Sequence, residues 1–175
     1  MAKLIPPFAP EEQVARWLFR AMVGLSMEEL VSELWLPQSR ERVFTFFADA
    51  RNLQAITPPW LDFQISNPEP IEMSVGTHID YRLKVHGIPL RWQSEITVWE
   101  PPLRFVDEQR KGPYQRWIHE HTFAEKDDGT LVMDRVQYAV PGGKLVNRLF
   151  VSRDVNKIFA YRREQLKKLF DNLGD

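Results

Sequence analysis

Residues 77–100 read THIDYRLKVHGIPLRWQSEITVWE, and apolar and polar side chains alternate along this stretch. The first half places four apolar side chains on one face, at positions Ile79, Tyr81, Leu83 and Val85. Gly87 marks a turn, after which the alternation resumes. A period of two predicts antiparallel strands with one face toward the core and the other toward water.

The same alternation extends in both directions from this hairpin. Turn sequences such as Asp127-Asp128-Gly129 and Lys111-Gly112-Pro113 separate the stretches. A strand bounded by Pro37 precedes them, at residues 29–36. The sequence therefore predicts an antiparallel run over residues 60–65, 76–86, 88–99, 103–109, 114–125 and 130–140.

Helical spacing appears on either side of this run. Two short helices are predicted after the first strand, capped by Ser39 and Asn52. After Pro141-Gly142-Gly143, residues 144–170 contain no helix breaker and carry an apolar stripe. Such a helix would be nearly 40 Å long, enough to cover the dry face of a whole sheet. The expected architecture is α+β, with a curved antiparallel sheet wrapped around the long C-terminal helix.

The N-terminal 27 residues form a predicted extension, and residues 28–172 form the predicted domain. Within the extension, residues 10–25 show an amphipathic helical pattern. This helix could pack on the domain, dock on a partner protein or a second copy, or lie on a membrane surface.

Composition narrows the class of protein. Lys and Arg number 23 against 24 Asp and Glu, so the basic excess typical of a nucleic-acid-binding domain is missing, and nucleic acid is not an expected partner. There is no cysteine, which excludes disulfides and thiolate chemistry. Neither a membrane-spanning apolar run nor a signal peptide is recognisable. A cytoplasmic location is the expectation.

Three of the predicted strands place polar side chains on the same face as apolar ones. The apolar side chains indicate that this face is inward. By the alternation of strand faces, the polar side chains on it are Asp107 and Gln109, His119 and His121, and Asp134 and Tyr138. Buried polar groups without partners are costly, so these groups should pair with one another or with a ligand.

Three stretches carry a resemblance to a known family: ELVSELWLP (29–37), FVDEQRKGPYQRWIHEHTF (105–123) and DRVQYAVPGG (134–143). They resemble the START-like, or polyketide cyclase/dehydrase and lipid-transport (SRPBCC), superfamily, whose fold is the helix grip. They are similar in particular to a bacterial ligand-binding subgroup, some members of which are named cell-division-inhibitor-like. The resemblance covers residues 29 to about 170 and implies a cavity for a hydrophobic ligand. It implies no particular reaction, because the superfamily includes carriers, receptors, co-chaperone domains and aromatase/cyclases.

Four interpretations of the inward polar residues compete. They could form a structural His–Asp network, orient a ligand, act as general acid and base, or chelate a metal through the His-x-His spacing and an Asp. Catalytic candidates are His119, His121, Asp107 and Asp134. No metal and no cofactor are expected, since the resembling families do not usually need a metal. Arg162 could reach solvent, pair with an interior carboxylate such as Asp134, or bind a ligand acid.

Three functional hypotheses follow. The first is a module that binds an apolar or aromatic small molecule, the second an aromatase/cyclase or dehydratase, and the third an interaction protein acting through the N-terminal helix. For the first, the predicted ligand-binding residues are Tyr81, Trp92, Asp107, Gln109, Trp117, His119, His121, Phe123, Asp134, Tyr138, Phe159 and Arg162.

Overall fold

The computed structural model describes residues 26–68 and 70–171, so the amphipathic helix predicted for residues 10–25 lies outside the described residues. Its sheet has seven antiparallel strands in the order β1-β7-β6-β5-β4-β3-β2. The strands are β1 (Glu28–Leu36), β2 (Gln64–Ile65), β3 (His78–Val85), β4 (Ile88–Glu100), β5 (Arg104–Lys111), β6 (Arg116–Lys126) and β7 (Gly129–Ala139).

The helices lie where the predicted architecture needs them. Two short helices follow β1, and a long helical segment from residue 143 to 171 follows β7, which confirms the predicted α+β helix-grip fold. The elements are α1 (Arg40–Ala48), α2 (Ala50–Ala55), a 3-10 turn (Pro59–Leu61), α3 (Gly143–Val146), a π-helical turn (Asn147–Val151) and α4 (Ser152–Asp171). Among the described residues, no helix is both long and apolar enough to cross a membrane.

Capping residues explain where α1 and α2 begin. Ser39 caps α1, as predicted, by accepting a hydrogen bond from the Arg42 amide at 3.4 Å. The predicted cap of α2 at Asn52 is wrong. The Asp49 side chain caps it instead, accepting from the Arg51 amide at 3.0 Å, while the Asn52 side-chain amide donates to the Phe46 carbonyl at 2.9 Å. Asp49 is extended at the break between the two helices, the conformation that an N-cap requires.

The strand predicted over residues 60–65 is largely a turn. Pro59 starts the 3-10 turn, where a missing amide hydrogen costs nothing, and Asp62 ends it with a φ of 45°. Of the residues in this predicted strand, only Gln64 and Ile65 pair with β3. Trp60 is thereby set beside the C-terminal helix, with its ring centroid 5.3 Å from that of Tyr161.

A β-bulge in β4 alters which side chains face inward. Ile96 pairs with Asp107 and Val98 with Val106, so Thr97 is the extra residue. Regular alternation from Trp92 and Ile96 predicts that Val98 faces the core. The bulge shifts the alternation by one residue, so Trp99 faces the core instead. The Trp99 ring lies 5.6 Å from Phe105. The bulge also bends the strand, which helps the sheet to curve around α4.

Helix α4 covers the concave face of the sheet with a stripe of buried side chains, namely Val155, Phe159, Leu166 and Phe170. Helical spacing predicts Leu145 and Leu149 on the same apolar stripe, but the structure shows them 67% and 59% exposed. The π-helical turn changes the rotation per residue there, so Val146 and Val151 face inward instead.

A candidate ligand cavity with a buried histidine–aspartate network

A cavity of about 710 Å³ lies between the concave face of the sheet, α4 and the α1–α2 region. Small-molecule sites in proteins commonly measure roughly 300–1,000 Å³. Eight of the predicted ligand-binding residues line it: Tyr81, Trp92, Asp107, Trp117, His119, His121, Phe159 and Arg162.

Aromatic rings form one continuous wall of this cavity. Tyr81 and Trp92 stack at 5.8 Å between centroids with an interplanar angle of 16°, as cross-strand partners on β3 and β4. Trp92 meets Trp117 edge-on at 5.4 Å, and Tyr114 closes the group at 5.5 Å from Trp92. Such offset and edge-to-face pairs hold one another in place and present apolar surface to the cavity.

Four ionisable residues form a network at the sheet side of the cavity, hereafter the His–Asp network: Asp107, His119, His121 and Asp134. His121 Nε2 lies 3.3 Å from Asp107 Oδ2, and His119 Nε2 lies 3.1 Å from Asp134 Oδ1. His121 Nδ1 is 2.8 Å from Asp134 Oδ1, at an angle too oblique for a hydrogen bond, so that contact is electrostatic. The sheet register creates these contacts, since Asp107 pairs with His119 and His121 with Asp134.

Burial and mutual contacts set the charges of the network. Burial disfavours the His121 cation, but the hydrogen bond to Asp107 and the attraction of both carboxylates outweigh burial and raise the pKa of His121. Burial, reinforced by the charge of His121, lowers the pKa of His119. Against burial, contacts with the imidazoles lower the pKa of Asp107 and of Asp134. These contacts therefore favour the protonated form of His121, the neutral form of His119 and the ionised forms of Asp107 and Asp134.

Ser94 links this network to the aromatic wall. Its hydroxyl donates to Asp107 Oδ1 at 3.1 Å and accepts from Trp92 Nε1 at 3.1 Å. Its remaining neighbour is the Tyr81 hydroxyl at 3.3 Å. Because the Ser94 proton is already used, the Tyr81 hydroxyl must donate to Ser94. Tyr81 is therefore left with an oxygen that can only accept a hydrogen bond from another group.

The other four predicted residues lie outside the cavity wall. Gln109 hydrogen-bonds the backbone of Tyr114 twice, through its amide nitrogen at 2.7 Å and its carbonyl oxygen at 3.2 Å. It thereby positions the Tyr114 ring. Asp134 lies behind the two histidines, Phe123 packs under α1, and Tyr138 packs beside Trp117.

Several lining residues were missed by the sequence interpretation. Strand alternation could have predicted Ser94 as a lining residue, since it occupies the inward position of β4 between Trp92 and Ile96. No pattern in the sequence predicts Tyr114 and Trp60 as lining residues, because each lies in a turn whose course strand alternation does not determine. Strand alternation predicts that His86 lies on the outer, solvent-facing side of the sheet. It lies 72% exposed at the rim, with Nε2 2.7 Å from Asp154 on α4.

Arg162 lines the cavity from the α4 side. It does not pair with Asp134, whose partners are the two histidines of the network. Its guanidinium carbon lies 5.4 Å from the Phe159 ring centroid, a cation–π distance.

Three members of the network also have the donor types of a transition-metal site. Asp107, His119 and His121 each offer one ligand atom, and the three atoms lie within 4.8 Å of one another. A metal at these atoms would replace the hydrogen bond between His121 and Asp107. His119 Nε2 and His121 Nε2 already have carboxylate partners, whereas the buried His121 Nδ1 has an ion contact with Asp134 but no hydrogen bond within the described part of the chain.

His119 and His121 should make the stability of the fold depend on pH in opposite directions. Because the pKa of His121 is raised, its stabilisation is complete below about pH 6.5 and is lost as the pH rises above that value. Because the pKa of His119 is lowered, protonation of the unfolded chain reduces stability as the pH falls below about 6.5. The carboxylates lose their stabilisation only in stronger acid. We expect urea unfolding to show maximal stability near pH 6.5.

A His121→Gln variant provides the control. It should lose most of the decline above pH 6.5 and keep the decline on the acid side. A wild-type stability that increases steadily from about pH 6 to pH 9 would contradict these charge assignments.

Comparison with known proteins agrees with the fold. A family model described as "Polyketide cyclase / dehydrase and lipid transport" matches residues 36–159. No match was found among curated proteins.

Solved structures of low sequence identity share the architecture. Protein TTHA0849 from Thermus thermophilus is 20% identical, with 85% of this chain and 100% of that chain covered and a TM-score of 0.63. Protein Ms6760 from Mycobacterium smegmatis is 17% identical, with coverage of 83% and 92% and a TM-score of 0.62. Ginseng major latex-like protein 151 from Panax ginseng is 12% identical, with coverage of 82% and 97% and a TM-score of 0.60. By its fold and by the family match over most of its length, the chain belongs to the polyketide cyclase / dehydrase and lipid transport family.

Proposed function

We propose that this protein binds an apolar or aromatic small molecule in the cavity between the sheet and α4. The observation that carries the proposal is the aromatic wall of Tyr81, Trp92, Tyr114 and Trp117 beside an internal space of about 710 Å³. Apolar surface removed from water supplies the affinity, and a few polar groups orient the ligand. With no cysteine in the chain, the cytoplasm is the proposed location.

The aromatic wall is preformed. The rings are fixed by their mutual contacts, and Gln109 holds the turn that carries Tyr114. A preformed wall reduces the entropy lost on binding, which raises affinity for a flat apolar molecule.

An enzymatic role of the His–Asp network has less support from the geometry. All four ring nitrogens of His119 and His121 lie 2.8–3.6 Å from carboxylate oxygens of Asp107 or Asp134. A general acid or base needs a nitrogen that is directed at the substrate. The proposed role of the network is therefore to stabilise the wall and to present a polar end of the cavity.

The proposal is tested by titrating the protein with 1-aminoanthracene, a neutral aromatic amine whose fluorescence reports an apolar environment. We expect saturable binding of one probe per chain with a Kd in the micromolar range or tighter, on the order of −8 kcal/mol. Fluorescence that increases linearly without saturation would show surface adsorption and would overturn the proposal.

A further inference from the structure

We propose that the ligand of this cavity carries a carboxylate and that Arg162 binds it. The inference rests on the proposed binding function and names the chemical class of the ligand, an apolar or aromatic body that ends in a single acid group.

The acidic side chains that line the cavity have basic partners, whereas two of the basic side chains have no acidic partner among the described residues. Its three carboxylates, Asp49, Asp107 and Asp154, each have a basic partner. The partners are Arg51 (Nε to Oδ1 2.8 Å), His121 (Nε2 to Oδ2 3.3 Å) and His86 (Nε2 to Oδ2 2.7 Å). Each acid of the cavity therefore already has a contact with a basic side chain of the protein itself.

Two lining cations have no such partner. Within residues 26–68 and 70–171, neither Arg162 nor Lys157 has a carboxylate within ion-pair distance. Both are held against rings, with Lys157 Nζ 4.4 Å from the Trp60 ring centroid and the Arg162 guanidinium 5.4 Å from that of Phe159. These contacts fix the positions of the cations and leave their hydrogen-bond donors unused.

Arg162 is better placed than Lys157 to bind an acid. Arg162 is half-buried, whereas Lys157 is exposed at the rim. The guanidinium presents paired N–H groups that match both oxygens of a carboxylate. Partial removal from water strengthens such a pair compared with one on the open surface.

The rest of the cavity directs an acid toward Arg162. The carboxylates of the His–Asp network, at the sheet side of the cavity, disfavour an anion beside them. The Tyr81 hydroxyl proton is committed to Ser94, and Tyr81 therefore cannot donate to an acid. The ligand body would then lie along the aromatic wall with its acid end at α4.

The test compares 1-pyrenebutyric acid with its methyl ester, which share the fluorescent body and differ in the charge. For the wild-type protein we expect the acid to bind about tenfold or more tightly than the ester. Arg162→Met should remove this preference by weakening binding of the acid, while the ester changes by less than about twofold. Arg163→Met is the matched control. Arg163 is the next residue on α4, is exposed and does not line the cavity, so the acid preference should persist.

Thermal unfolding of all three proteins keeps a folding defect from being mistaken for lost binding. Equal affinity for acid and ester in the wild type, or an acid preference that survives Arg162→Met, would overturn the assignment of Arg162 and leave the binding function standing. Failure of both pyrene compounds and of 1-aminoanthracene to bind would overturn the binding function, and this proposal with it.

Discussion

Replacement of Asp134 with alanine is expected to destabilise the fold by about 1–3 kcal/mol, because it leaves a buried His119 N–H without an acceptor and removes one of the two carboxylates beside His121. Asp134 is buried and is the shared contact of both histidines. Without it, the His119 Nε2–H has no acceptor, and the His121 cation keeps only Asp107. The free energy of unfolding, measured in urea at pH 6.5, gives the size of the effect.

One further variant separates the charge of Asp134 from its shape, and a second is a surface control. Asp134→Asn retains an oxygen acceptor and should cost roughly half as much as the alanine substitution. Glu33→Ala, at an exposed position of the neighbouring strand β1, should change stability by no more than about 0.5 kcal/mol. A loss below about 1 kcal/mol for Asp134→Ala would mean that the His–Asp network does not support the fold.

Narrowing the cavity is expected to reduce affinity for 1-aminoanthracene about tenfold or more, without loss of stability. The double variant Leu53→Trp/Ile158→Trp adds two large rings from α2 and α4, at half-buried positions that line the cavity. The added atoms occupy open space and not a packed core, so overpacking strain should be small. Fluorescence titration and thermal unfolding measure the two quantities.

Leu145→Trp is the control for this pair of substitutions. Leu145 is 67% exposed on α3 and does not line the cavity, so the new ring should leave probe affinity within about twofold of wild type. If the double variant binds the probe as tightly as the control, the probe does not occupy the cavity.

Strand alternation was sufficient to place the four residues of the His–Asp network on the inward face of the sheet. Side chains two residues apart share a face, so His119 and His121 had to point the same way, and Phe123 on that face identified it as inward. Consecutive hairpins then place β5, β6 and β7 side by side. The expectation that these side chains pair with one another or with a ligand needed no further information, and the structure places the carboxylates of Asp107 and Asp134 beside the two histidines.

Features that depend on departures from regular geometry could not be predicted in the same way. The bulge at Thr97 exchanges the roles of Val98 and Trp99, and nothing in the local alternation marks it. Gln109 faces inward as its strand position requires, yet its partner is the backbone of the Tyr114 turn, whose course alternation does not determine.

The size of the cavity is likewise a property of packing. Its volume depends on where the α1–α2 region, the Pro59–Leu61 turn and α4 come to lie relative to the sheet. Composition and periodicity predicted a helix long enough to cover the sheet, but they do not determine the space left beneath that helix.

The central claim, that the cavity holds an apolar small molecule, is tested most directly by native mass spectrometry. The protein is incubated with a metabolite and lipid extract of its own organism, freed of excess extract, and weighed under native and then denaturing conditions. We predict a native mass that exceeds the denatured mass by one non-covalent adduct of about a few hundred daltons, the size that a cavity of this volume accommodates. A native mass equal to that of the bare chain after this incubation would contradict the account.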